Sequence, residues 1–166
     1  MGNSAKFFGK YRGTVVNNID PLQICRIQAL VPEVSNLTTW AMPCVPIAGQ
    51  QMGSYFLPPV GAGVWIEFEQ GDPDYPVWVG GYWNSAAEVP ALAIEGAANI
   101  VLQTTGQNAI VVSDLPGPLG GIMLKSTNGA TIVINDVGIT IQNGKGASLR
   151  LIGPEVDING GALTVI

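Results

Sequence analysis

Histidine is absent from the 166 residues. That absence removes the Ser-His-Asp triad, the Cys-His nucleophile pair and every zinc site that relies on imidazole. Charge is scarce as well. Asp, Glu, Lys and Arg make up 11% of the chain, less than half the usual share of a soluble domain. Seven basic residues stand against twelve acidic ones, so the net charge is −5. No basic stripe exists to neutralise a phosphate backbone, which argues against nucleic-acid binding. Nor is there a run of about 20 apolar residues, the length a helix needs to span a bilayer. Met1 to Tyr11 has lysines but no apolar core, so it does not read as a signal peptide, and the chain is expected to be made and folded in the cytoplasm. Cysteine is limited to Cys25 and Cys44, too few for a disulfide framework or a zinc knuckle. A disulfide between the two is open; two buried free thiols are the expectation.

The sharpest absence is positional. All twelve Phe, Trp and Tyr residues lie between Phe7 and Trp83, and none follows. Nine of the twelve prolines also fall within the first ninety residues. This break divides the chain into an N-terminal extension (1–9), a first domain (10–84), a linker (85–95) and a second domain (96–166).

What is present in the first domain is strand and turn chemistry. Lys10 to Val16 is one strand-like run, closed by Asn17-Asn18-Ile19-Asp20-Pro21. Leu22 to Val31 is a second, stopped by Pro32. Gly63 to Glu69 alternates, with Val64, Ile66 and Phe68 on one face and Trp65, Glu67 and Glu69 on the other. Gly71-Asp72-Pro73-Asp74 turns the chain into a fourth run, Pro76 to Trp83. Trp40 to Pro59 reads as a long connection with room for one short strand. Such short strands with closing turns suit a small barrel, which has no open edges.

The second domain repeats short aliphatic strands: 100–103, 109–112, 122–125, 130–135, 139–142, 148–152, 156–159 and 163–166. Turns such as Asn128-Gly129, Asn143-Gly144, Gly153-Pro154 and Gly160-Gly161 punctuate them, giving the texture of a β-solenoid or β-prism. Each strand offers only two or three inward aliphatic residues, so one chain cannot enclose a core. Three chains can, each supplying one wall of a narrow prism whose axis has room for Val, Ile and Leu but little for Trp or Tyr. The expected trimer core is Ile132, Ile134, Ile139, Ile141, Leu149, Leu151, Val156 and Ile158. The apolar end, Leu163, Val165 and Ile166, is the expected docking point for a blunt cap.

Other constellations read as structure. Glu67, Glu69, Asp72 and Asp74 resemble a calcium or glycosidase cluster on paper, but a solvated strand face running into a polar turn is the better reading. Gly80-Gly81 and Gly120-Gly121 lack the helix and lysine of a phosphate loop and read as tight strand geometry. Trp65, Trp78 and Trp83 are expected in core or interface packing rather than in ligand stacking. Arg12 and Arg26 are candidates for ion pairs between chains. No catalytic residue, metal site or cofactor is expected.

Gly13-Thr-Val-Val-Asn-Asn-Ile-Asp-Pro21, Cys25-Arg26-Ile27 and Val31-Pro32-Glu33-Val34 open a resemblance that continues along the first domain. It runs through Trp40-Ala-Met-Pro43, Pro46-Ile-Ala-Gly49, Phe56-Leu-Pro-Pro-Val-Gly61 and Val64-Trp-Ile-Glu-Phe-Glu69 to Gly71-Asp-Pro-Asp-Tyr-Pro-Val77 and Gly80-Gly-Tyr-Trp83. In this order the pieces are similar to the OB-fold domain of the central spike proteins of contractile injection systems, the baseplate assembly protein V and VgrG group. The second domain resembles that family's triple-stranded β-helix, with Val156 to Ile166 like its closing turns. The resemblance implies an all-β fold, an OB-fold barrel followed by a trimeric intertwined β-helix or β-prism needle. Its implied role is a homotrimeric, non-enzymatic spike in a virion tail baseplate or injection particle, which docks to a hub protein and pierces the target envelope. Some relatives carry a lysozyme domain between barrel and needle, and no segment here is long enough to be one. Others end in a histidine-iron tip, which this histidine-free chain lacks, so the family pattern implies a separate PAAR-like tip protein. The alternatives are a trimeric tail adhesin for carbohydrate or receptor, which would call for distal aromatics or acidic pockets, and an oligonucleotide-binding OB protein.

Overall fold

A computed structural model describes residues 5–34 and 39–165, with the side chains of Thr164 and Val165 left out. Two compact units divide the chain, Met1–Glu88 and Val89–Ile166.

The first unit is a closed barrel of five strands: β1 (Tyr11–Asn17), β2 (Ile27–Leu30), β3 (Trp40–Pro43), β6 (Gly63–Phe68) and β7 (Pro76–Tyr82), in the order β1-β2-β3-β7-β6. The β3–β7 pair is parallel and closes the ring; the other pairs are antiparallel. A two-stranded hairpin, β4 (Ala48–Gly49) and β5 (Met52–Gly53), lies in the connection from β3 to β6. The alternation of β6 places Val64, Ile66 and Phe68 in the core beside Val15, Ile27, Val31 and Trp78, while Trp65 and Glu67 face outward. Trp78 satisfies its indole by donating to the Cys25 carbonyl at 3.0 Å, so its bulk fills the barrel without an orphaned polar group.

The expected strand from Leu22 to Val31 is shorter than the sequence suggests. Residues 22–26 form an irregular loop, because the Asp20 carboxylate collects the backbone N–H groups of Leu22 (2.9 Å), Ile24 (3.0 Å) and Arg26 (3.2 Å). Those groups are thereby withdrawn from any sheet ladder. Cys25, inside this loop, has φ +66° and is buried.

The second unit is an eight-stranded antiparallel meander. Its strands are β8 (Asn99–Gln103), β9 (Ala109–Ser113), β10 (Gly121–Lys125), β11 (Thr131–Asn135), β12 (Gly138–Gln142), β13 (Ser148–Ile152), β14 (Glu155–Ile158) and β15 (Leu163–Val165). Each pairs with the next in sequence, leaving β8 and β15 as the two edges. Tight turns set the register. Gly121 (φ +86°) and Gly138 (φ +151°) have backbone angles that other residues rarely adopt. A Cβ on them would lie 2.0 Å from the Ile134 carbonyl oxygen and 2.1 Å from that of Leu151. Gly120 is equally confined, against the Leu115 carbonyl oxygen, so the Gly120-Gly121 pair is strand-entry geometry.

Candidate oligomerisation surface

Register and alternation sort the second unit's side chains onto two faces. On one face the directly opposed pairs run without interruption. Ile100 and Leu102 stand opposite Val112 and Ile110, which stand opposite Ile122 and Leu124. These face Ile134 and Ile132, which in turn face Ile139 and Ile141. Leu151 and Leu149 follow, then Val156 and Ile158, and Ile158 is opposite Leu163. Every described side chain on this face is Ile, Leu or Val.

In the single chain this face is open. Ile100 is 63% exposed, and Ile132, Ile134, Ile139, Ile141 and Leu151 remain exposed to solvent; Leu149, Val156 and Ile158 are half-buried. All eight residues expected to form a trimer core therefore lie together on one surface. Leu163 shares it and is exposed. Val165 pairs with Val156 along the backbone, and Ile166 lies outside the described residues. The sequence reading named only the later strands. Ile100, Leu102, Ile110, Val112, Ile122 and Leu124 extend the same ladder, and their alternation within β8, β9 and β10 was the signal that could have found them.

The opposite face is mixed. Val101, Val111, Met123 and Val133 form its middle column over the first four strands, and Thr140, Arg150 and Asp157 continue it. Arg150 lies 3.7 Å from Asp157, whose carboxylate also accepts from the Gly161 N–H. The mixed face carries polar groups along half its length and is the more covered of the two, with Val111 and Asp157 buried, while the aliphatic face offers nothing but hydrocarbon. Fifteen such side chains leave on the order of 800 Å² of apolar surface per chain, above the few hundred typical of a soluble monomer's largest patch. Covering it is worth ~20 kcal/mol per chain as an upper bound at about 25 cal/mol per Å².

The barrel's polar groups have local partners. Lys6 bridges to Asp72 at 3.2 Å and Lys10 to Glu67, so this part of the acidic cluster is a set of surface ion pairs. Among the described residues, no group of three or more His, Cys, Asp or Glu side chains could hold a metal ion. Backbone donation from Asp74, then the Lys6 ammonium, hold the Asp72 carboxyl below the ordinary range. Arg26 has its observed partners within its own chain, with Nη2 2.6 Å from Asp20 Oδ1 and Nε at 3.0 Å, and its guanidinium lies over Trp40. The short loop between β1 and β2 brings Arg26 back to Asp20. This guanidinium, followed by the three N–H donors, holds the Asp20 carboxyl far below the usual range. Arg12 lies over the rings of Trp65 (5.4 Å) and Tyr82 (5.1 Å). Trp78 is core, as the packing reading required, whereas Trp83 is exposed. Cys25 and Cys44 are both free thiols, but only Cys25 is buried. Cys44 follows the last residue of β3, where no layer covers it. Burial, then the Asp20 charge, push the Cys25 thiol up, which makes it unreactive.

A closed barrel joined to a sheet whose whole aliphatic face is open in the single chain has the character of a structural assembly subunit. Residues 11–83 match the Type VI secretion system/phage-baseplate injector OB domain, and residues 99–164 match the phage baseplate V C-terminal trimerisation domain. The chain belongs to the phage baseplate V family of injector proteins, and is a structural, homotrimeric baseplate spike component rather than an enzyme. No curated protein matches it.

Proposed function

We propose that three copies close their aliphatic faces around a common axis to form a β-prism needle, and that this needle is the piercing element of a contractile injection machine. The observation that carries the reading is the unbroken Ile/Leu/Val ladder from β8 to β15, exposed in one chain and paired strand by strand. A two-chain sandwich would also cover such a face, but the domain's family is one of trimerisation. Three walls with right-handed strand twist wind into an intertwined β-helix, dry inside and hydrogen-bonded along its length. Eight strands at about 4.8 Å give a stem on the order of 40 Å. Ile132, Ile134, Ile139, Ile141, Leu149, Leu151, Val156 and Ile158 line its axis. Leu163, Val165 and Ile166 end it with an apolar platform for a PAAR-like tip protein. The barrels dock to the baseplate hub, and sheath contraction, powered elsewhere, drives the needle through the target membrane. The chain is made in the cytoplasm and incorporated there into the particle.

Cryo-electron microscopy of the assembled particle tests this against the adhesin alternative. Threefold density on the tail axis, with a narrow stem beyond the barrels, is the expected result. Density at the ends of side fibres would instead make the protein an adhesin.

A further inference from the structure

The barrel's charges are unevenly distributed. Lys6, Lys10, Glu67 and Asp72 gather where Phe7 donates to the Gly71 carbonyl, around the turn from β6 to β7. The opposite end is built from the β1–β2 loop and the connection from β3 to β6. Among the described residues of these two loops the charges are Asp20 and Arg26, which neutralise each other, with side chains 4% and 16% exposed. From Val34 to Ile66 the sequence contains no charged residue at all. The two loops are knit into one surface: Asn18 Nδ2 donates to the Pro58 carbonyl at 2.9 Å, and Cys25 Sγ is 3.8 Å from the Phe56 carbonyl. This surface presents Ile19, Leu22, Ile24, Tyr55, Phe56 and Leu57 to solvent, with Leu22 62% and Phe56 59% exposed. Apolar anchors held on a hydrogen-bonded scaffold lose little entropy when covered.

The connectivity says what covers them. β7 runs parallel to β3, and its last residue, Tyr82, pairs with Gly63, so the chain leaves the barrel at this same uncharged end. The trimerisation domain begins at residue 99, seventeen residues after Tyr82. Three barrels are thus tethered by the end that lacks charge, at an effective concentration in the millimolar range. Copies of an acidic chain repel one another wherever carboxylates meet, and these two loops carry no net charge, the first acidic residue after β7 being Glu88.

We infer that the uncharged end of the barrel is a second self-contact, covered in the assembled protein by neighbouring copies of this chain; the inference rests on the trimeric reading above. It makes the barrels a closed collar and leaves the charged end for other partners.

The native thiols supply the test. Cys44 is exposed in the single chain and lines the same hollow as Phe56, whereas Cys25 is buried, so a polar maleimide reports on Cys44. In the full-length trimer, Cys44 labels at least about tenfold more slowly than in Leu22→Asp, which places a charge in the contact while the needle still holds three chains together. Native mass spectrometry of the same samples records the chain count. A wild-type trimer whose Cys44 labels as fast as that of Leu22→Asp overturns the self-contact and leaves the needle intact. Single chains in the wild-type sample overturn both.

Discussion

At the scale of single residues, Asp20 has the largest local role. One carboxylate fixes a seven-residue loop by accepting from three backbone groups and a guanidinium. Its folded-state pKa is depressed, so its contribution is fully present above the ordinary carboxylate range near 3.8 and is lost as pH falls toward the folded value. Thermal unfolding of wild type and Asp20→Asn followed against pH checks this. The gap between the two midpoints stays constant above about pH 5 and narrows below about pH 4. A gap that widens on acidification would contradict the assignment. Asp72, also depressed, adds a smaller term of the same sign, because its lysine partner is exposed and solvent screens the pair. This loop also marks where sequence reading stops. Asp-Pro announced a turn, but nothing in Leu22-Gln-Ile-Cys distinguishes a strand from a loop whose donors a carboxylate has taken. The same limit applies to Arg26, whose partner six residues earlier could be found only once the loop was closed. In the aliphatic ladder, Ile134→Asp places a charge where the proposed needle brings three copies together. It should yield single chains by native mass spectrometry, whereas Ile134→Ala costs about 2–4 kcal/mol per copy and retains the trimer.

At the scale of elements, the sheet of the second unit depends on turns that only glycine fits. Gly138→Ala sets a methyl against the Leu151 carbonyl and also carries the strain of φ +151°. It should destabilise the second unit by ~1–3 kcal/mol or more, read as a lower unfolding midpoint. Gly146→Ala has positive φ but open space around it, so its loss is near 1 kcal/mol. Equal losses at the two positions would mean that the close approach is unimportant. These strands were legible because alternation and Asn-Gly or Gly-Gly turns are both local signals. Ile139 and Ile141 face Ile134 and Ile132 as their spacing indicates. The barrel was harder. Its β3–β7 closure joins residues 35 positions apart through two register pairs, Met42–Val77 and Pro43–Trp78, and no local pattern encodes it. The small hairpin at 48–53 was hidden within a proline- and glycine-rich connection.

At the scale of the whole molecule, the missing aromatics, the scarce charge and the open aliphatic face describe one requirement. A sheet that cannot bury its own hydrocarbon must be completed by copies of itself. The sequence composition showed that need, and the register showed that the whole ladder shares a face; how the copies wind is the part that one chain does not encode. The absolute mass of the purified full-length protein by native mass spectrometry, across dilution, is the most direct measurement. Three chains of 17.3 kDa, or about 52 kDa, persisting on dilution is the expected result. A soluble 17.3 kDa species with the second unit fully folded would contradict the account.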